Sequence, residues 1–193
     1  YFHIPRMVGG EIAVQGFYIL SGFYIALILS HQYTSVKNFL INRFLRLYPA
    51  YFLIATIALV MVWLDPKHIQ NLFELPGLAI GYIALTNITM LFQDLSMFFA
   101  VIDGHLTFVT DPASYSNLIF QYLLIPQGWT LGIEISFYIL APLLFSKGFK
   151  YIYAIFLASL ALRVCLHLIG KIEDPWSYRF FPTELAFFML GAM

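Results

Sequence analysis

Charge is what this chain has least of. Only 10% of its 193 residues are Asp, Glu, Lys or Arg, whereas soluble domains carry about 25%, so a water-facing surface of normal extent is excluded. The formal net charge is zero, and no global field argues for a nucleic-acid partner. A single cysteine, Cys165, rules out an intrachain disulfide; it lies among apolar residues and reads as core. Neither it nor the five histidines show paired metal-ligand spacing, so no metal site is expected. No basic start followed by a short apolar core and a small-residue cleavage site precedes the first apolar run. Internal repeats, low-complexity tracts and soluble linkers are also lacking.

What is present is apolar and aromatic. Hydrophobic residues make up 61% and aromatics 19%, with Tyr and Trp near the ends of apolar runs, as membrane-interface belts require. The expected fold is all-α: a polytopic transmembrane helix bundle of about five to six spans plus one candidate re-entrant element. The chain starts with Tyr rather than Met, and its last apolar run, Phe180 to Met193, falls short of the roughly 20 residues a spanning helix needs. Residues 1–193 therefore read as one membrane-embedded domain, truncated at both ends.

Along the chain, Val8 to Leu29 is expected to span. Glu11, Gln15, Tyr18 and Gly22 fall on one stripe of that helix, with Ser21 beside it, and such a stripe faces other helices or a cavity. His31 to Leu47 holds Lys37, Arg43 and Arg46 and no acid, so the positive-inside rule makes it a cytoplasmic connection. Pro49 then sits near the start of a second span, Tyr48 to Leu64, where a helix tolerates proline. Pro76 to Phe92 is a weaker span, and Gln93 to Gln127 is an acidic connection with an Asp103-Gly104-His105 turn. Trp129 to Phe145 and Tyr151 to Ile169 are spans, joined by Lys147 and Lys150, and Phe180 opens a last helix. If each span crosses once, Gln93–Gln127 falls inside and Lys147–Lys150 outside. Charge argues the reverse, and an extra crossing or re-entrant piece between Leu75 and Gln127 would repair the conflict.

Two constellations carry chemistry. Glu134 lies in an apolar helix after a Pro126-Gln127-Gly128 break, and an ionised carboxylate at mid-bilayer costs roughly 2.5–3.5 kcal/mol even on the lenient insertion scale. Such residues face the bundle interior, find a partner and mark a site; Thr130 and Tyr138, at i−4 and i+4, extend a polar stripe through it. The bland alternative is a structural ion pair, for instance with Arg163. Arg43 and Arg46, at i and i+3, place two guanidinium forks on one helix face just under the cytoplasmic surface, suited to a phosphate-bearing ligand or, equally simply, to lipid headgroups. His31 reads as a solvated interfacial residue, and His105 beside Asp103 as a loop residue.

Three elements in order carry a resemblance. Gly10-Glu11-Ile12-Ala13-Val14-Gln15-Gly16-Phe17-Tyr18-Ile19-Leu20-Ser21-Gly22-Phe23 resembles a glycine, valine, aromatic-pair and Ser-Gly-Phe signature. Arg43 to Tyr51 resembles an Arg-x-x-Arg-aliphatic-x-Pro element, and Trp129 to Pro142 a Trp-Ser-Leu-x-x-Glu-x-x-Phe-Tyr-x-x-x-Pro element. Together they are similar to the acyltransferase-3 family of multipass membrane O-acyltransferases acting on cell-surface carbohydrates. The resemblance implies a bacterial inner-membrane enzyme that moves a small acyl group, expected to be acetyl, from acyl-CoA to a carbohydrate hydroxyl. Acyl-CoA would be a co-substrate rather than a resident cofactor, and membrane lipid and the carbohydrate acceptor the other partners.

The same resemblance implies acyl-CoA phosphates near Arg43 and Arg46, a supporting catalytic role for Glu134, and substrate-side or structural roles for Gln15, Ser21, Trp129, Thr130 and Tyr138. Gln15 stands where the family usually has Asp, and Thr130 where it has Ser. The family's arginine–histidine pair, ten residues apart, has no counterpart here, so the general base is expected upstream of Tyr1; otherwise His3, His31 and His105 are the candidates. A transporter or lipid-linked-sugar permease, with its own membrane carboxylates and broken helices, and a non-catalytic family member are the competing readings.

Overall fold

The computed structural model describes residues 9–31, 35–171 and 173–193. His3, the first residue of the expected Val8–Leu29 span and the side chain of His31 lie outside the described residues. The chain divides into two compact units, Tyr1–Thr34 with Leu140–Met193, and Ser35–Ile139. Among the described residues four helical stretches are long and apolar enough to cross a membrane: α1 (Gly10–His31), α2 (Val36–Trp63), α5 (Trp129–Phe145) together with the turn that leads into it from Pro126, and α6 (Phe149–Leu168). Large apolar side chains such as Ile12, Leu53, Leu143 and Leu157 point outward from them, which in water would forfeit the main driving force for folding and in lipid costs nothing. Cys165 belongs to this outer surface. It is not core as expected: the face of α6 that packs on α7 is the one carrying Ser159 and Arg163, and Cys165 lies off it.

In the first unit, α1 and α6 pack on α7 (Phe181–Ala192). A Cβ on Gly22 would sit 2.0 Å from the Phe188 carbonyl oxygen, and one on Gly191 1.8 Å from that of Ile19. Only glycine at both points lets the two backbones approach this closely, the usual device for helix pairs in lipid. Tyr18 stacks on Phe188 with ring centroids 4.6 Å apart. Of the Glu11–Gln15–Tyr18–Gly22 stripe, Tyr18 and Gly22 meet α7, Gln15 is half-buried and Glu11 is exposed, and Ser21 is buried beside Gly22. Ser159 of α6 clamps the other side of α7: its hydroxyl donates to the Pro182 carbonyl at 2.7 Å and accepts from the Ala186 N–H at 2.9 Å.

The second unit departs more from expectation. The basic segment is not a connection: α2 runs unbroken from Val36 through Arg43, Arg46 and Pro49 to Trp63. Pro49 is an interior residue rather than an N-terminal one, so the helix forgoes one main-chain hydrogen bond there. Twenty-eight residues span roughly 42 Å, enough to cross the hydrocarbon and carry its basic end into the headgroup zone. The weaker span is also shorter than expected. Helix α4 covers only Gly77–Thr89 and follows α3 (Pro66–Phe73) at a bend of 119°. Asp65 caps α3, accepting from the Lys67 and His68 N–H groups at 3.1 and 3.4 Å, with Pro66 as its first residue.

The sharp bend bears on the charge conflict. Counted in chain order with α3–α4 as a re-entrant loop, the acidic Gln93–Gln127 segment lies outside and Lys147–Lys150 inside, the distribution the positive-inside rule asks for.

That acidic segment is structured. Strands β1 (Phe99–Ile102) and β2 (His105–Phe108) pair antiparallel in the register Ile102↔His105. Asp103 and Gly104 both have positive φ, 50° and 75°, as a two-residue type I′ hairpin turn requires. Short 3-10 turns at Asp94–Phe98, Pro112–Ser114, Ile119–Tyr122 and Pro126–Gly128 complete the path into α5. The hairpin packs one face, through Phe99, Val101 and Leu106, on Leu75, Ala79, Ile83 and Ile119, while its tip at Asp103–His105 is exposed.

Candidate functional site

Helix α5 is held by close backbone approach at its start. A Cβ on Gly128 would meet Gln93 Oε1 at 2.5 Å, and one on Gly132 the Met90 carbonyl oxygen at 2.6 Å. Gln93 is 0% exposed and donates from Nε2 to Tyr51 Oη (2.9 Å) and to the Thr86 carbonyl (3.1 Å). It therefore ties α2, the end of α4 and the start of α5 together. The intervening turn uses left-handed backbone at Met90 and Phe92, φ 57° and 63°, which costs roughly 1–2 kcal/mol per residue without glycine. Hydroxyl donors fix that turn: Tyr48 to the Thr89 carbonyl at 2.5 Å and Tyr82 to the Phe92 carbonyl at 2.6 Å. Neither Gln93 nor this turn was singled out by sequence; a lone Gln after an apolar helix carries no pattern.

One helical turn beyond Thr130 lies Glu134, only 3% exposed. The Tyr138 hydroxyl donates to its Oε1, as the i, i+4 spacing allows. The Tyr138 ring in turn lies under the guanidinium of Arg43, 5.7 Å from its centroid, and the Phe39 ring flanks the same guanidinium at 5.6 Å. Arg43 is 9% exposed, and its Nε is buried with no hydrogen-bond partner among the described residues. Two aromatic faces supply about 0.5–2 kcal/mol each, less than full desolvation of a guanidinium costs. A fixed cation with an unused donor is therefore primed for an anionic or strongly polar group. Beside it opens an apolar cleft of about 330 Å³ lined by Leu40, Arg43, Phe44, Tyr48, Ile135 and Tyr138 among others.

The structure thus brings Glu134, Tyr138 and Arg43 together, with Trp129 buried at the start of the same helix. It does not bring Arg46 in: that side chain is exposed and does not line the cleft. The two guanidinium groups sit about 60° apart around α2, so one turns inward while the other reaches the surface. Thr130 is half-buried, its hydroxyl 3.4 Å from the Gln127 carbonyl. His105 is exposed at the hairpin.

Gln15 belongs to a second polar cluster, within the first unit, whereas Ser21 is buried next to Gly22. Arg163 Nη1 pairs with Glu184 Oε1 at 2.8 Å, the carboxylate being fully buried. Gln15 adjoins that carboxylate, and Glu11 lies within electrostatic reach. The counter-ion of Arg163 is therefore Glu184 of α7 rather than Glu134. Sequence had the signal, a second carboxylate in an apolar helix, but the short final run hid its weight.

A family model described as an acyltransferase domain matches residues 1–193. The chain belongs to the acyltransferase-3 family. Peptidoglycan O-acetyltransferase OatA of Listeria monocytogenes serovar 1/2a is 32% identical to this family member over 154 residues, covering 74% of the chain and 21% of that protein. The chain thus spans about a fifth of the length of the curated relative it matches. No solved structure matches it. For a membrane acyltransferase-3 chain, the Glu134–Tyr138–Arg43 group and its cleft form the candidate active-site wall.

Proposed function

We propose that this chain is the membrane-embedded part of an O-acyltransferase that moves a small acyl group, acetyl in the simplest case, from acyl-CoA to a carbohydrate hydroxyl at a bacterial cytoplasmic membrane. The observation that carries this reading is the buried Arg43 guanidinium, poised over Tyr138 with a free Nε beside an apolar cleft. In the transfer, the acceptor oxygen attacks the thioester carbonyl, a base takes the hydroxyl proton, and the C–S bond breaks to release the CoA thiolate. Arg43 would hold a phosphate or the developing oxyanion through its planar fork, while Glu134, fixed by Tyr138, orients a donor group or accepts from an acceptor hydroxyl. No histidine lines the cleft among the described residues, so the base is supplied from elsewhere in the protein. OatA, the similar protein, is named for O-acetylation of peptidoglycan, which favours a glycan acceptor.

The inequality of the two arginines gives the test. Arg43→Ala should weaken acyl-CoA binding by the membrane-inserted protein by about tenfold or more, as for a lost charge-assisted bond of 1.5–3 kcal/mol. Arg46→Ala should lower it by no more than about fivefold, because an exposed ion pair contributes at most about 1 kcal/mol. Equal effects, or unchanged binding in Arg43→Ala with insertion intact, would remove the donor site from this cleft.

A further inference from the structure

The cleft beside Arg43 has walls that a phosphate site would not need. It lies wholly within the Ser35–Ile139 unit, and apart from Arg43 and two tyrosines it is lined by hydrocarbon: Leu40, Ile41, Phe44, Ile135 and Ile139. Ile135 is buried, whereas Ile41, Phe44 and Ile139 are exposed, so the cleft has a floor and an open side. Its position in the bilayer follows from α2. Arg43 and Trp63 are about 30 Å apart along that helix, the thickness of the hydrocarbon layer. With Trp63 exposed at one interface, Arg43 stands at the opposite edge. There a water-soluble donor can reach the guanidinium while a hydrocarbon chain passes inward toward Tyr48.

The chemistry of the donor decides which of its groups belongs there. In acyl-CoA the whole pantetheine arm separates the diphosphate from the acyl chain, so one cleft cannot seat both. The polar group joined directly to the chain is the thioester carbonyl. Placed beside Arg43, that carbonyl would develop its oxyanion against the guanidinium, with the reacting carbon near Tyr138 and the Glu134 carboxylate that Tyr138 binds. Size then sets the chain. An apolar cavity of about 150 Å³ holds a six-carbon ring, and this cleft measures about 330 Å³. Resting on the acyl transfer proposed above, we infer that the cleft is an acyl-chain pocket that prefers donors of roughly eight to twelve carbons, with Leu40, Ile135 and Ile139 setting the length. Acetyl enters the same pocket but leaves most of it empty. Each methylene buried there strengthens donor binding about fourfold.

The test is photo-crosslinking of the full-length protein in phosphatidylcholine nanodiscs, with an octanoyl-CoA that carries a diazirine at the end of its chain. Label is expected on peptides containing Leu40–Tyr48 or Ile135–Ile139, and octanoyl-CoA should compete it away at least tenfold better than acetyl-CoA. Leu40→Trp fills the pocket and should cut that advantage at least fivefold, a comparison in which partitioning of the donor into the bilayer cancels. Ile139→Trp, at an exposed position where an added ring is easily accommodated, should act the same way. Leu53→Trp, on the outer surface of the same helix, should change nothing. Equal competition by the two donors, label confined to other helices, or an advantage indifferent to both filling variants in correctly inserted protein would overturn the inference. Release of the CoA thiol from acetyl-CoA, measured alongside, separates the two readings. Persistent release under any of those outcomes would leave the transferase standing without this pocket. Label in the cleft with no thiol release from either donor would uphold the pocket and remove the transfer.

Discussion

Gly22→Ala is the sharpest perturbation of the α1–α7 seam. The new methyl would meet not a yielding side chain but the Phe188 carbonyl group, 2.0 Å from its oxygen and 2.8 Å from its carbon. Ordinary contact begins near 3.4 Å, so the two backbones must part by well over an ångström. Overpacking in a well-packed interior costs typically 1–3 kcal/mol, and a rigid obstacle on one side argues for the upper end. Parting also loosens the Tyr18–Phe188 stack, whose pairing adds about 0.5–1.5 kcal/mol. The expected loss is roughly 3 kcal/mol, more than a hundredfold in the folded-to-unfolded ratio. Gly16→Ala, on the same helix with nothing within 4 Å of its Cβ, is the matched control and should be neutral or stabilising by up to about 1 kcal/mol. Reversible unfolding of the detergent-solubilised protein in a denaturing-detergent titration measures both. Equal stabilities for Gly22→Ala and Gly16→Ala would refute a glycine-mediated seam.

Two further outcomes follow from the buried polar groups. Arg163→Met strands the fully buried Glu184 carboxylate and should destabilise by about 3–5 kcal/mol in the same titration, whereas Arg163→Met with Glu184→Met should recover most of it; no recovery would mean that the pair does more than neutralise itself. Tyr138→Phe removes the donor to Glu134 while keeping the ring under Arg43, and should lower transferase activity at least tenfold while stability falls by less than about 2 kcal/mol. Unchanged activity would separate Tyr138 from the site.

Much of this architecture was legible because intramembrane patterns are coarse. The Trp129–Phe145 helix, the α1 stripe and the span ending near Ile169 each follow from an apolar run bounded by polar residues or a proline. The start of α2 was not legible. Lys37, Arg43 and Arg46 read as a loop because charge normally marks one, yet a helix longer than the bilayer carries basic residues into the interface on flexible stems. Length likewise concealed α4, whose apolar run extends past Thr89 into a turn that Gln93, Tyr48 and Tyr82 hold by hydrogen bonds no periodicity announces. Within the candidate site, Glu134 and Tyr138 were found by spacing on one helix. The inward turn of Arg43 against the outward turn of Arg46 was not, since which of two adjacent guanidinium groups is buried depends on Phe39 and Tyr138, far apart in sequence. Glu184 was missed as a partner for the same reason: an ion pair across twenty-one residues has no local signature.

The account rests on Glu134 being part of a reacting site rather than a packing residue, and Glu134→Gln tests that most directly. The substitution keeps shape and the bond from Tyr138 while removing the charge. Acetyl transfer from acetyl-CoA by the full-length protein in membranes should fall by about 100-fold or more, as for loss of a positioned acid–base or orienting group, with insertion and unfolding midpoint close to wild type. Full activity in a correctly inserted Glu134→Gln protein would contradict the account and reduce Glu134 to a buried structural residue.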